Sequence, residues 1–316
     1  MTNAETKQLT SFYTEEASSA HAILAAVKPN DQSGAVLRMA QWLAEHEHRE
    51  LRVISVVDTT PLISAFAAGV PVVPPFHDEE SRLAIKRQVR SAYERIGHVA
   101  PRLRVDVLEG VAATTIADVA REHEVRIVVV GRGTHGLLSH LVYGEQVMEI
   151  IRASRRPVLV VPNDAPVPIE RAMVAFDFST ASIRAAVTAY EMLGAGGRLS
   201  LVHVATPRQV TGKRGDWWLR TIERRTRATL GEFVRALPPK PGVVVEMEKL
   251  HGDAVEVLSA FAQSERAQLL ACGWHDHALL ERVLKESHTT ELLHRAECAV
   301  LVAPEPRNRG KHDDAA

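Results

Sequence analysis

Short apolar runs alternate with longer amphipathic stretches along most of this chain. Ile23 to Val27, Leu51 to Val57, Val128 to Val130 and Val158 to Val161 are nearly continuous apolar runs. Runs of that length, rich in β-branched residues, predict strands of a parallel sheet covered on both faces. The stretches between them have helical periodicity: Val36, Met39, Ala40 and Leu43 share one face, and Val147, Ile150 and Ile151 share another. A longer helix is predicted over 78–96.

The second half repeats the first. Gly110 to Pro162 aligns with Gly252 to Pro304 without a gap, pairing Gly131 with Gly273, Leu138 with Leu280 and Glu149 with Glu291. The front of the unit recurs as well. Met173 to Phe176 predicts a strand, Asp177, Phe178 and Ser179 a turn, and Ile183, Ala186, Val187 and Tyr190 a helix face. A strand over Leu199 to Val204 and a helix over 216–237 follow. Each half therefore reads β-α-β-α-β-α-β-α-β, which implies α/β architecture with right-handed crossovers. The units span 19–162 and 169–304, joined by a linker at 163–168, with tails at 1–18 and 305–316.

The most distinctive segment joins the fourth and fifth strands of the first half. Gly131, Gly133 and Gly136 crowd the end of the fourth strand, where backbone N–H groups can approach a phosphate closely. Gly144 is read as the residue preceding the next helix. This segment resembles the nucleotide loop of the universal stress protein family, whose motif is G-x2-G-x9-G-[S/T]. Gly131 and Gly144 stand at its first and third glycines, Thr134 at the second, and Glu145 at the Ser/Thr position.

The resemblance covers nearly the whole chain and implies two doubly wound parallel five-stranded sheets of order 3-2-1-4-5, with helices on both faces. It also implies pairing of the two halves through their fifth strands as an internal pseudo-dimer, with a further homodimer and an unknown protein partner left open. In ATP-binding members an aspartate ending the first strand contacts the nucleoside end, and the glycine loop with its Ser/Thr holds the phosphates. The implied first-half contacts are Val27, Val56, Gly131, Arg132, Gly133, Thr134, Gly144 and Glu145, with Lys28 in the aspartate's place. The implied second-half contacts are Asp177, Ser179, Gly273 and Ser287. There Asp276 and Glu286 replace the second and third glycines, and two carboxylates repel an anion unless a cation bridges them. Asp177 and Ser179 read equally well as caps of the following helix.

Composition narrows the class. The 316 residues are 46% hydrophobic and 24% charged, with a net charge of −1. That balance gives no broad attraction to nucleic acid or acidic membranes. Cys272 and Cys298 lie in apolar runs and read as small buried hydrophobes in a reducing, cytoplasmic setting. The apolar stretch 61–76 is broken by Pro71, Pro74 and Pro75 and is too short to span a bilayer. It reads as a lid or a contact surface.

His275, Asp276, His277 and His288 raise a metal reading, but an alternating run in a loop points its side chains apart. A solvated polar loop is the simpler account. No nucleophile elbow, P-loop or acid–base pair is present. The expectation is a non-enzymatic stress-response module that takes ATP or another adenine nucleotide, with Mg, in its first half. The alternative is a nucleotide-free interaction scaffold of the same fold.

Overall fold

The computed structural model describes residues 3–28, 33–60, 79–98, 103–132, 139–205, 228, 230–275 and 286–305. The first half contains β1 (Ala22–Ala26), α2 (Ser33–His46), β2 (Glu50–Asp58), α3 (Glu79–Arg95), β3 (Val105–Gly110), α4 (Ala112–Glu122), β4 (Ile127–Gly131), α5 (Ser139–Ser154) and β5 (Val158–Val161). It is preceded by α1 (Asn3–Ser19). The second half contains β6 (Arg171–Ala175), α6 (Thr180–Met192), β7 (Arg198–Ala205), β8 (Val244–His251), α7 (Ala254–Ser264), β9 (Leu269–Trp274), α8 (Glu286–Arg295) and β10 (Ala299–Pro304). Residues 230–236 are also helical, within the helix predicted over 216–237. The apolar stretch 61–76 lies outside the described residues.

The strands form a single ten-stranded sheet in the order β3-β2-β1-β4-β5-β10-β9-β6-β7-β8. Each half keeps the parallel order 3-2-1-4-5. The halves join where β5 meets β10 antiparallel, pairing Val158 with Val302, Leu159 with Leu301, and Val160 with Val300. Both strands are buried on both faces, so a free edge there would expose apolar side chains and unpaired backbone groups together. Alternation sends Leu159 and Leu301 into one hydrophobic cluster and Val158, Val160, Val300 and Val302 into the other. Each cluster contains residues of both halves.

The repeat extends to backbone detail. Gly110 ends β3 and Gly252 directly follows β8, with φ of +148° and +137°. A Cβ at Gly110 would lie 2.5 Å from Thr115 Oγ1, and one at Gly252 2.8 Å from Val257 Cγ2. The tight strand-to-helix turn therefore requires glycine in both halves.

The N-terminal tail expected at 1–18 is instead the helix α1. Its polar sequence hid a narrow stripe: Thr6, Thr10, Tyr13 and Ala17 are buried, at helical spacing. The helix packs on α6, in the other half of the chain.

Charged groups are also buried where the halves meet. The Arg126 guanidinium pairs with Glu191, and its Nε lies 3.6 Å from Glu47. Burial opposes the charge on Arg126, but Glu191 and Glu47 outweigh it and raise its pKa. Burial pushes the Glu191 carboxyl up, against the pull of Arg126. Lys240 Nζ donates to the carbonyls of Tyr190, Glu191 and Leu193, closing the end of α6.

Because both cores run through the β5–β10 seam, the halves are expected to unfold together. Leu301 is fully buried there, so Leu301→Ala should cost about 2–5 kcal/mol. Calorimetry should show one transition in both proteins, shifted down in the variant. Two separated transitions in the parent would refute a shared core.

Candidate functional site

In a doubly wound sheet the strand order reverses between the first and fourth strands, and a crevice opens at their C-terminal ends. In the first half Ala26 pairs with Val130, which places Val27 beside Gly131. Val27 N donates to Ile54 O at 2.9 Å, so Ser55 is the β2 residue flanking Val27. Ser55 and Val27 are both buried.

The equivalent position in the second half has the same backbone and different side chains. Phe176 N donates to Val202 O at 2.8 Å, and Ala175 pairs with Cys272. Phe176 therefore matches Val27, His203 matches Ser55, and Gly273 matches Gly131. His203 Nδ1 lies 2.9 Å from Phe176 O. Its ring is 5.0 Å from Phe178, which stands 5.2 Å edge-on from Phe176. All three are buried, so aromatic side chains pack where the first half carries valine and serine. The sequence reading missed Ser55 and His203. The register of β1 with β2, and of β6 with β7, is the signal that finds them.

The other residues expected in the second half have structural partners. Asp177 Oδ1 accepts from Ser179 N at 2.9 Å, and Ser179 Oγ accepts from Ser182 N at 3.1 Å as the N-cap of α6. A Cβ on Gly273 would lie 2.5 Å from both the Ala181 carbonyl carbon and Ser182 N. The first turn of α6 thus occupies the space that this glycine opens. Ser287 stands in the first turn of α8, where the motif places it.

In the first half, Arg132 reaches across the seam, where its Nη2 donates to Cys298 O at 3.0 Å. Trp274, its counterpart, also faces the other half: the Arg152 and Arg155 guanidiniums lie 5.9 and 5.7 Å from its ring. Gly144 and Glu145 depart from expectation. Helix α5 begins at Ser139, so both lie inside it, with Glu145 exposed. One glycine weakens a helix without stopping it. Free N–H groups belong to the first four residues of a helix, which excludes these two. Val56 packs with the cluster on the sheet face opposite Val27. Gly133, Thr134 and Asp276 lie outside the described residues.

His275 Nδ1 lies 3.3 Å from Glu305 Oε2. That hydrogen bond raises the imidazole pKa above 6.5, against burial, and the charges of Asp177 and Glu305 add to it. His277 lies outside the described residues. Among the described residues no group of three or more His, Cys, Asp or Glu is placed to hold a metal ion. Burial raises the Cys272 thiol pKa to about 12 and that of Cys298 to about 11, so neither is a ready nucleophile at neutral pH. No helix among the described residues is long and apolar enough to cross a membrane.

The universal stress protein family model matches residues 20–162 and again 168–304. The chain belongs to this family, as a tandem member. Three matches are similar in fold at low identity. A universal stress protein from Archaeoglobus fulgidus is 17% identical with a TM-score of 0.59, over 91% of this chain and 100% of that one. A putative universal stress protein from Pseudomonas aeruginosa is also 17% identical with a TM-score of 0.59, over 91% and 94%. A functionally unknown Pseudomonas aeruginosa protein follows at 17% and 0.56, over 92% and 94%. No curated protein matches the chain.

Gly273→Ala drives a methyl group into the backbone of α6 and should lower stability by about 1–3 kcal/mol, read as a fall in denaturant midpoint. An unchanged midpoint would mean that α6 does not seat on β9 this closely. For His275 the folded pKa lies above the unfolded one. Its stabilisation is complete below about pH 6.5 and is lost as pH rises through the raised value. His275→Gln should therefore melt below the parent at about pH 5.5, and the gap should close as pH rises through the raised value. A gap that widens toward alkaline pH would have the wrong sign for this pair.

Proposed function

We propose that this tandem universal stress protein is a non-enzymatic, cytoplasmic stress-response regulator that takes an adenine nucleotide, with Mg, in its first half. The observation that supports this reading is the asymmetry of the two crossover positions. Val27, Ser55 and Gly131 are small where Phe176, His203 and Gly273 are packed with aromatic rings and a helix turn. Nucleotide occupancy acts by shifting a conformational or partner-binding equilibrium, without chemistry on the ligand.

A scaffold that takes no nucleotide is the second reading. Three observations favour it: Lys28 in place of an aspartate, Arg132 committed to Cys298, and Gly144–Glu145 lying inside α5.

Thermal unfolding with millimolar Mg-ATP, ADP or AMP separates the two. A ligand held only by the folded state stabilises it by RT ln(1 + [L]/Kd), about 2.7 kcal/mol at about a hundred times Kd. The shift should survive in Asp177→Ala and vanish in Val27→Phe, which copies the second half's residue into the first. A flat response of the parent to all three nucleotides would sink the nucleotide reading and leave the scaffold.

A further inference from the structure

Helix α1 stands apart from the repeat. The family match begins at residue 20, immediately after it, and nothing equivalent precedes the second half, where residues 163–168 form a short connection. Yet α1 lies on the second half, against α6. Eleven of the thirteen residues of α6 are buried, against eight of fourteen in its counterpart α2. The added helix therefore covers a face that the repeat unit does not itself cover.

The surface beneath α1 has a definite chemistry. Arg184 projects from α6, and its side chain is only 4% exposed. One guanidinium nitrogen donates to Pro304 O at 2.8 Å and to Arg155 O at 3.3 Å, which fixes the group at the seam. The other donates to Glu16 of α1 at 2.6 Å, and the guanidinium sits 5.8 Å from the Tyr13 ring. The groove thus presents a clamped cation. An occupant must bring a carboxylate three residues after an aromatic, with a small residue four after that aromatic. Tyr13, Glu16 and Ala17 meet this requirement.

The fit of α1 is imperfect in a specific way. Its buried stripe holds two threonines, and Thr10 Oγ1 donates back to Thr6 O of its own helix at 2.8 Å rather than to the groove. The Tyr13 hydroxyl is buried with no hydrogen-bond partner. A largely polar helix of seventeen residues is marginal on its own in water, so α1 depends on its docking.

We propose that α1 is a releasable clasp over a helix-docking groove on α6, and that the groove's regulated occupant is an acidic amphipathic helix of a partner protein carrying an aromatic-x-x-Glu pattern. Release of α1 frees Arg184 to pair with the partner's carboxylate, a helix-in-groove mode of recognition. The proposal is independent of whether the first half takes a nucleotide.

A fluorescent synthetic peptide of residues 3–19 serves as the probe, measured by anisotropy against the full chain and against a Tyr13→Ala/Glu16→Lys chain. The weakened clasp should bind the peptide at least about tenfold more tightly than the parent. A peptide carrying Glu16→Lys should lose that binding and regain it on the weakened chain bearing Arg184→Glu. In parallel, amide exchange in the parent should be faster across α1 than across β4 and β9. Three results would overturn the proposal: α1 exchanging as slowly as those strands, a folded weakened chain that ignores the peptide, or a weakened chain that no longer folds. Dimerisation of the weakened chain through exchange of its own α1 would assign the groove to a second copy instead, and would likewise overturn it.

Discussion

The antiparallel pairing of β5 with β10 is the constraint on which the rest of the molecule depends. It is short, with only three residue pairs, but both strands are apolar on both faces and end their own sheets. Each strand supplies the other with backbone partners and with neighbours above and below. The pairing turns two five-stranded sheets into one and makes both hydrophobic clusters continuous across the junction. Everything else that links the halves follows from the position this register imposes. Arg132 meets Cys298, Trp274 meets Arg152 and Arg155, and Arg126 meets Glu191.

Those cross-half contacts are unusually polar for a protein interior. Arg126 and Arg184 are nearly inaccessible, and an unpaired buried cation is strongly unfavourable. Each meets groups from both halves: Glu47, Glu191 and Thr188 for Arg126, and Glu16, Arg155 O and Pro304 O for Arg184. Such a network adds little net stability beyond what apolar residues of equal size would give. Its effect is on geometry, because a shifted docking of the halves would strand at least one cation.

The two crossover positions share a backbone register but differ in their side chains. Val27, Phe176 and Phe178 all belong to one cluster, so both positions contribute to the core, with different side chains. In the second half, Phe176, Phe178 and His203 fill the position and add buried area. Burying a side chain of that size contributes about 1.5–3 kcal/mol. In the first half the same backbone carries Val27 and Ser55, and Arg132 is turned toward the seam. The second half packs its position with aromatic rings, while the first has smaller residues beside its glycine.

The sequence by itself determined the strands and the repeat, because these rest on local signals, and the family resemblance supplied the strand order. Continuous apolar runs such as Val158–Val161 permit little else, and the offset between Gly110 and Gly252 is the same turn geometry used twice. The caps at Asp177 and Ser179 were legible for the same reason, since their partners lie within three residues. What only the tertiary structure decided involves neighbours far apart in the chain. Helix α1 looked like a tail because its buried stripe is Thr, Thr, Tyr and Ala, and its partner Arg184 lies more than 160 residues away. The start of α5 was misplaced because a glycine weakens a helix without ending it. Ser55 and His203 gained meaning from register, which is fixed by pairing between strands and not by the composition of either strand alone.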